Sequence, residues 1–270
     1  MSPHTRDSLA AHLLDEILAG RLASGARLPP ERTLARTFGL SRPMVREVLR
    51  GLAERGFVDI VPSRGTFVRE PRSTDGARSL DTSYRRRNTS VRELLETRMM
   101  VEAYSARLAA CHATDTEIRA MRRCLDDFAT TRRVLERARL DLAFHALVVR
   151  AGHNTVIETM YASITSLTFE LMLRSLSDRQ ARQASISQHD EVWQAIRDRD
   201  PDRAYAAMRE HLDLTRQLYA KDLERRVDQL ALRELQRMLG PSVTLEGILD
   251  DVARRHAAFQ NAPGVADELS

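Results

Sequence analysis

Apolar residues repeat with helical spacing along most of this chain, and the breaks in that spacing divide it into elements. Between Thr5 and Ala19, Leu9, Leu13 and Ile17 stand four apart and predict a first helix that ends at Gly20. From Arg27 to Val68 the pattern reads as a short helix, a turn at Gly39, a second helix, and two strands joined by Pro62-Ser63-Arg64-Gly65. Ser41 is placed to cap the second of these helices and Gly56 to stop it. Val45, Val48, Leu49 and Leu52 share one face of it, while Arg42, Arg46 and Arg50 recur every four residues on another. One side therefore packs and the other offers guanidinium groups.

After Val68 the periodicity lapses. Residues 70–90 contain Pro71, Ser73, Gly76, Ser79, Ser83 and the run Arg85-Arg86-Arg87, which predicts a linker. From Val91 every long segment has helical period, with helices expected near 91–112, 114–128, 131–151, 154–175, 179–198 and 202 to about 238. Leu245, Ile248, Leu249 and Val252 suggest one more short helix after Gly240-Pro241. The expected fold is mainly α: a winged helix-turn-helix domain over 1–69, the linker, an all-helical bundle over 91–226, and a C-terminal extension over 227–270.

Charge adds a direction. Residues 1–89 carry 16 arginines against 10 acidic residues, a balance of +6, while the remainder holds 26 basic against 28 acidic, a balance of −2. A positive field over the helix-turn-helix suits a nucleic acid, and an arginine face beside such a turn fits a major groove, where guanidinium groups bridge guanine or hold phosphates. No apolar run approaches membrane-spanning length, and the first seven residues lack the apolar centre of a signal peptide. Cys111 and Cys124, the two cysteines, have no CxxC spacing and are expected to be buried thiols; the reading is a cytoplasmic protein.

The helical part holds a second candidate chemistry. Asp141 and His145 are four apart on the apolar face of their helix, His189 is in phase with Ile186, Val192, Trp193 and Ile196, and His211 is in phase with Ala204, Met208, Leu214 and Leu218. Buried polar groups need partners, so these are either hydrogen-bonded core residues or ligands. Three imidazoles with one carboxylate suit a divalent transition metal such as Zn, Ni, Mn or Fe. Arg98 is in phase with Val91, Leu94, Leu95 and Val101 and points inward; it is either a carboxylate clamp or the ion-pair partner of Glu102, one turn on. His4, His12, His112, His153 and His256 lack such company.

The N-terminal stretch resembles the GntR family of bacterial winged-helix transcription regulators. The matching residues are Gly25, Arg27-Leu28-Pro29, Glu31-Arg32, Leu34-Ala35, Phe38-Gly39, Ser41-Arg42, Val45-Arg46-Glu47, Leu49, Leu52, Gly56 and Arg64-Gly65-Thr66-Phe67-Val68. The resemblance implies that Arg32, Ser41, Arg42 and Arg46 contact DNA and that Arg64 and Gly65 form the tip of a wing. Pro30 departs from it, since the family has Ser or Thr there to cap the helix.

From Val91 to Leu223 the chain resembles the FCD ligand-binding domain of the FadR subfamily, through Asp141-Leu142-Ala143-Phe144-His145, Gly152, Asn154, His189 ahead of Val192-Trp193-Gln194-Ala195-Ile196, and Met208-Arg209-Glu210-His211-Leu212. That resemblance implies a metal, with Zn, Ni or Mn preferred, on Asp141, His145, His189 and His211, and a small carboxylate effector met by Arg98 and Asn154. The expected protein is a homodimeric, effector-controlled regulator on a two-fold operator, and not an enzyme, in which the acid weakens DNA binding; whether it represses or activates is left open by the sequence. A metal-dependent enzyme with a DNA-binding appendage and a regulator that senses the ion itself are the rival readings.

Overall fold

The computed structural model describes residues 5–72, 75, 77–175 and 179–231, and the chain divides into two compact units between residues 76 and 77. The predicted helix over 245–252 lies outside the described residues.

The first unit holds α1 (Arg6–Leu18), α2 (Glu31–Phe38), α3 (Arg42–Glu54), β1 (Val58–Val61) and β2 (Gly65–Val68). Leu9 and Leu13 of α1 close over the apolar stripe of α3, with Leu28, Leu34, Leu40, Val58 and Val68 completing the core. Thr5 caps α1 through a reciprocal capping box with Ser8, and Ser41 accepts from Met44 N at 3.5 Å at the head of α3. Pro30 gives α2 no side-chain cap, and the helix ends at Gly39 in the left-handed conformation (φ 62°). β1 and β2 pair antiparallel from Val58↔Val68 to Val61↔Gly65.

The second unit contains α4 (Ala77–Arg86), α5 (Val91–His112), α6 (Asp115–Thr130), α7 (Val134–Ala151), α8 (Thr155–Ser175), α9 (Arg179–Arg197) and α10 (Pro201–Leu218). α7 is central: Leu142, Ala146 and Val149 pack into one apolar cluster, and Ala143, Phe144, Leu147 and Val148 into the other. A helix covered on all sides buries whatever it carries, Asp141 and His145 included. α9 lies on α6 and α10, and its Trp193 donates its indole N–H to Ile118 O at 3.0 Å between the guanidinium groups of Arg122 and Arg197, each 4.9 Å from the ring centre. None of the described helices is long and apolar enough to cross a membrane.

Three expectations are corrected. The stretch 70–90 is not free of secondary structure, because α4 forms within it and packs on α8. Tyr84 reaches the core and meets Ser163 Oγ at 3.2 Å, and Arg85 pairs with Asp81 and with the buried Glu170. The helix expected to run to about 238 ends at Leu218, with Tyr219 as its cap. The chain then turns back so that Val91 N and Arg92 N, free donors at the start of α5, bond Arg225 O and Leu223 O at 3.0 and 2.9 Å. Cys124 is buried, but Cys111 is exposed, since the inner face of that end of α5 is taken by Ala106, Ala109 and Ala110.

Burial pushes the Glu170 carboxyl up to about 7, because Arg85 is shared with Asp81 and, among the described residues, Glu170 Oε2 has no hydrogen-bond partner. The folded state therefore keeps a proton that the unfolded chain releases above about 4.5. The stabilisation is complete below that pH and is lost as pH rises towards 7, at no more than about 1.4 kcal/mol per unit. Urea titrations of the wild type and Glu170→Gln across this window check it: the wild type should lose stability relative to the variant, and parallel curves would contradict the assignment.

Candidate metal centre and nucleic-acid interface

α7, α9 and α10 each bring an imidazole to one buried point. His189 Nε2 lies 3.2 Å from both His145 Nε2 and His211 Nε2, and Asp141 Oδ1 lies 3.1 Å from His189 Nε2 and 3.6 Å from His145 Nε2. His145 and His189 are wholly buried, and His211 and Asp141 nearly so. Phe144 and Phe128 pack on the His189 ring, with centroids 4.9 and 5.4 Å away. All four sequence-predicted ligands thus meet, three imidazoles with Asp141 against two of them.

The far sides of two rings are held as well. His145 Nδ1 sits 2.5 Å from Glu102 Oε2, and His211 Nδ1 is 3.2 Å from Gln188 Oε1. With a proton on each Nδ1, the Nε2 lone pairs of both rings face inward. One proton on His189 Nε2 can serve only one of the acceptors crowded around it. Burial, then the neighbouring imidazoles, holds His211 well below its ordinary pKa, and burial lowers His189 against the pull of Asp141. Burial also opposes a charged His145, but the Glu102 and Asp141 carboxylates outweigh it and raise its pKa.

Glu102, mentioned in the sequence only as a rival partner for Arg98, is the centre of this arrangement. It is fully buried and takes a forked contact from Arg98, Nε to Oε1 at 2.6 Å and Nη2 to Oε2 at 3.2 Å. Burial alone would raise its pKa, but Arg98 and His145 hold it near 2. Arg98 is thus bound within the protein in the way weighed as its alternative, and its charge is felt at all three imidazoles. With neutral imidazoles, Arg98, Glu102 and Asp141 leave one uncompensated negative charge in a closed space. Inward lone pairs and a surplus negative charge are the conditions a divalent cation satisfies, so these residues fit one.

Asn154 has a different place. Its Oδ1 accepts from Val156 N and Ile157 N, both at 3.1 Å, which caps the start of α8. The position predicted to meet an effector is occupied in holding a helix end.

In the first unit Arg32, Ser41, Arg42, Arg46 and Arg64 are all exposed, and Gly65 is at the start of β2 beside the turn. Arg46 Nε is held by Glu31 Oε2 at 2.8 Å, a contact between α2 and α3 that spacing along the chain did not reveal. Arg42 makes no ion pair among the described residues, and Arg64 lies over Phe67 at 5.9 Å.

Residues 5–68 match the family described as "Bacterial regulatory proteins, gntR family", and residues 93–214 match the FCD domain. The chain belongs to the GntR family. Among curated relatives of this GntR-family protein, the Glc operon transcriptional activator of Escherichia coli (strain K12) is 29% identical over 206 residues, 73% of this chain and 81% of its own length. The galactonate operon transcriptional repressor of the same strain is 28% identical, across 77% of this chain and 93% of its own. The transcriptional regulator LutR of Bacillus subtilis is 27% identical, across 72% and 91%. The solved structure of Streptococcus agalactiae GntR superposes with a TM-score of 0.59 at 25% identity, covering 78% of this chain and 99% of that one. The protein is a DNA-binding transcriptional regulator with an FCD domain, and the relatives cited are named as regulators of transcription.

Proposed function

We propose that this regulator releases or engages its operator in response to a small organic acid bound beside a divalent transition metal, Zn, Ni or Mn, held by Asp141, His145, His189 and His211. The observation that carries the reading is the convergence of three imidazole Nε2 atoms and the Asp141 carboxylate, with Glu102 and Gln188 fixing two rings from behind. When bound, such an ion would supply a Lewis-acidic centre. One relative is named for galactonate, a hydroxylated carboxylate, which supports an organic acid as the class of effector. Asn154 is left to its helix cap.

Arg98 gives the acid a second point of attachment. A carboxylate that takes N–H groups from Arg98 must share them with Glu102, and Glu102 also holds His145. The effector and the metal ligands are in this way joined through the contacts of one carboxylate. A homodimer on a two-fold operator completes the reading, since paired half-sites combine their binding energies.

Operator affinity should change roughly 5- to 150-fold in the presence of the acid, the span of a coupling of about 1–3 kcal/mol. Replacing both Arg98 and Glu102 by Gln removes the guanidinium without stranding a charge and leaves an amide oxygen for His145. That variant should keep operator binding and metal stoichiometry and lose the response to acids that act on the wild type. An undiminished response, measured by anisotropy titration, would move the effector away from Arg98.

On the DNA side, Arg32, Ser41, Arg42, Arg46, Arg64 and Gly65 are the proposed contacts. Arg42→Ala should weaken operator binding by about 1–3 kcal/mol if it reads a base, with an unchanged melting temperature because the side chain is exposed. Gel-shift titration at fixed salt checks this, and wild-type affinity would remove Arg42 from the interface.

A further inference from the structure

The segment ahead of α2 belongs to the hairpin. Gly25 N bonds Val68 O at 2.9 Å, Val68 N bonds Ala26 O at 2.8 Å, Leu28 N bonds Thr66 O at 2.9 Å, and Arg27 stands opposite Phe67 in an antiparallel bridge. Residues 25–28 thus run extended beside β2 through one isolated antiparallel bridge. Leu28 is buried in the core, and alternation along this extended stretch sends the exposed Arg27 to the other side. There its guanidinium rests against Gly65: a Cβ at that position would lie 2.9 Å from Arg27 Nε and 3.2 Å from Nη2. Gly65 also has φ 117°, a conformation that side chains rarely adopt.

Several other arginines of this unit are occupied by carboxylates: Arg6 by Glu47, Arg21 by Asp15 and Glu16, Arg46 by Glu31, and Arg69 by Asp75. Among the described residues Arg27 and Arg64 have no such partner, and both flank the tip of the hairpin. We infer that Arg27 is a second DNA-contacting arginine of the wing, holding a backbone phosphate next to the groove that Arg64 enters. The bridge holds the Arg27 backbone, and the glycine leaves its guanidinium space to lie beside the hairpin tip. Gly65 acts here as the space Arg27 occupies. The inference rests on the reading of residues 62–65 as a wing that meets DNA.

The test uses the full-length protein and a duplex that the wild type selects from a random pool, titrated by anisotropy over a range of salt concentrations. Arg27→Ala should reduce the slope of log K against log salt by roughly 0.9 for each DNA-binding domain engaged and lower affinity roughly tenfold at moderate salt, with no change in melting temperature. Arg27→Lys, which keeps the charge, should restore the slope. An unchanged slope in Arg27→Ala overturns the inference, even if affinity falls through some loss of fold. Arg64→Ala, run in parallel, separates the causes. If it lowers the slope while Arg27→Ala does not, the wing stands and Arg27 is a solvated surface charge; if neither does, the wing reading fails with it.

Discussion

Glu102→Ala should destabilise the helical unit by about 3–5 kcal/mol, the cost of leaving a buried charge without its partner. Arg98 is 2% exposed and its guanidinium is forked onto this one carboxylate, while His145 Nδ1 abuts the same group from the other side. Truncation removes both contacts and also leaves a void between α5 and α7. For a unit of this size, about 2–4 °C is expected per kcal/mol, so the melting temperature should fall by roughly 6–20 °C. Glu102→Gln strands the same Arg98 charge and should also lose stability, but less than Glu102→Ala, because it leaves no void and its amide oxygen still accepts an N–H. Replacing Arg98 and Glu102 together by Met should recover much of the loss, as apolar replacements of buried ion pairs commonly do. Differential scanning calorimetry decides: a change under about 1 kcal/mol in Glu102→Ala would mean that water reaches Arg98, and the buried chain from Arg98 to His145 would have to be abandoned.

The second large effect concerns the metal. The wild type should purify with a stoichiometric divalent ion, and a chelator should lower its stability by on the order of 4 kcal/mol if the free ion stands near a thousand times its Kd. His189→Ala combined with His211→Ala should carry no ion and be indifferent to chelator. Removing imidazoles also opens cavities, so the informative quantity is the chelator-dependent difference within each protein, not the absolute melting temperature. Elemental analysis with thermal melts provides it. If the wild type is free of divalent metal and added Zn or Ni leaves its melting unchanged, then Asp141, His145, His189 and His211 are a polar cluster of the core.

Much of this was legible along the chain because it depends on local period. α5 to α9 follow apolar residues at helical spacing, and Gly152 and Asp200-Pro201 mark real ends. The inward phase of His145, His189 and His211 could be read in the same way, since each helix buries the stripe on which its histidine lies. Contacts across the sequence could not be read. α4 has little stripe of its own and is held by Tyr84 on Ser163 and Arg85 on Glu170, 79 and 85 positions away. α10 stops although Leu223 and Val227 continue the apolar run, because the carbonyls of Leu223 and Arg225 are drawn to the start of α5. Glu102 and His145 sit on different helices, and Glu31 and Arg46 are separated by the turn at Gly39, so neither pairing has a signature in spacing. Asn154 shows the converse: a residue type that suits a ligand also suits a helix cap, and here the cap is what the side chain makes.

Trp193 is the only tryptophan in the chain, and it follows His189 by one helical turn on α9. Its indole lies between two positive charges, Arg122 on α6 and Arg197 on its own helix, with its N–H fixed to Ile118 O. Emission excited selectively from tryptophan therefore comes from a single place in the molecule, and its colour depends on the two charges that face the ring. A shift of α9 as His189 changes its company alters that geometry directly, so the protein carries its own fluorophore, without a label, next to the site whose occupancy is in question.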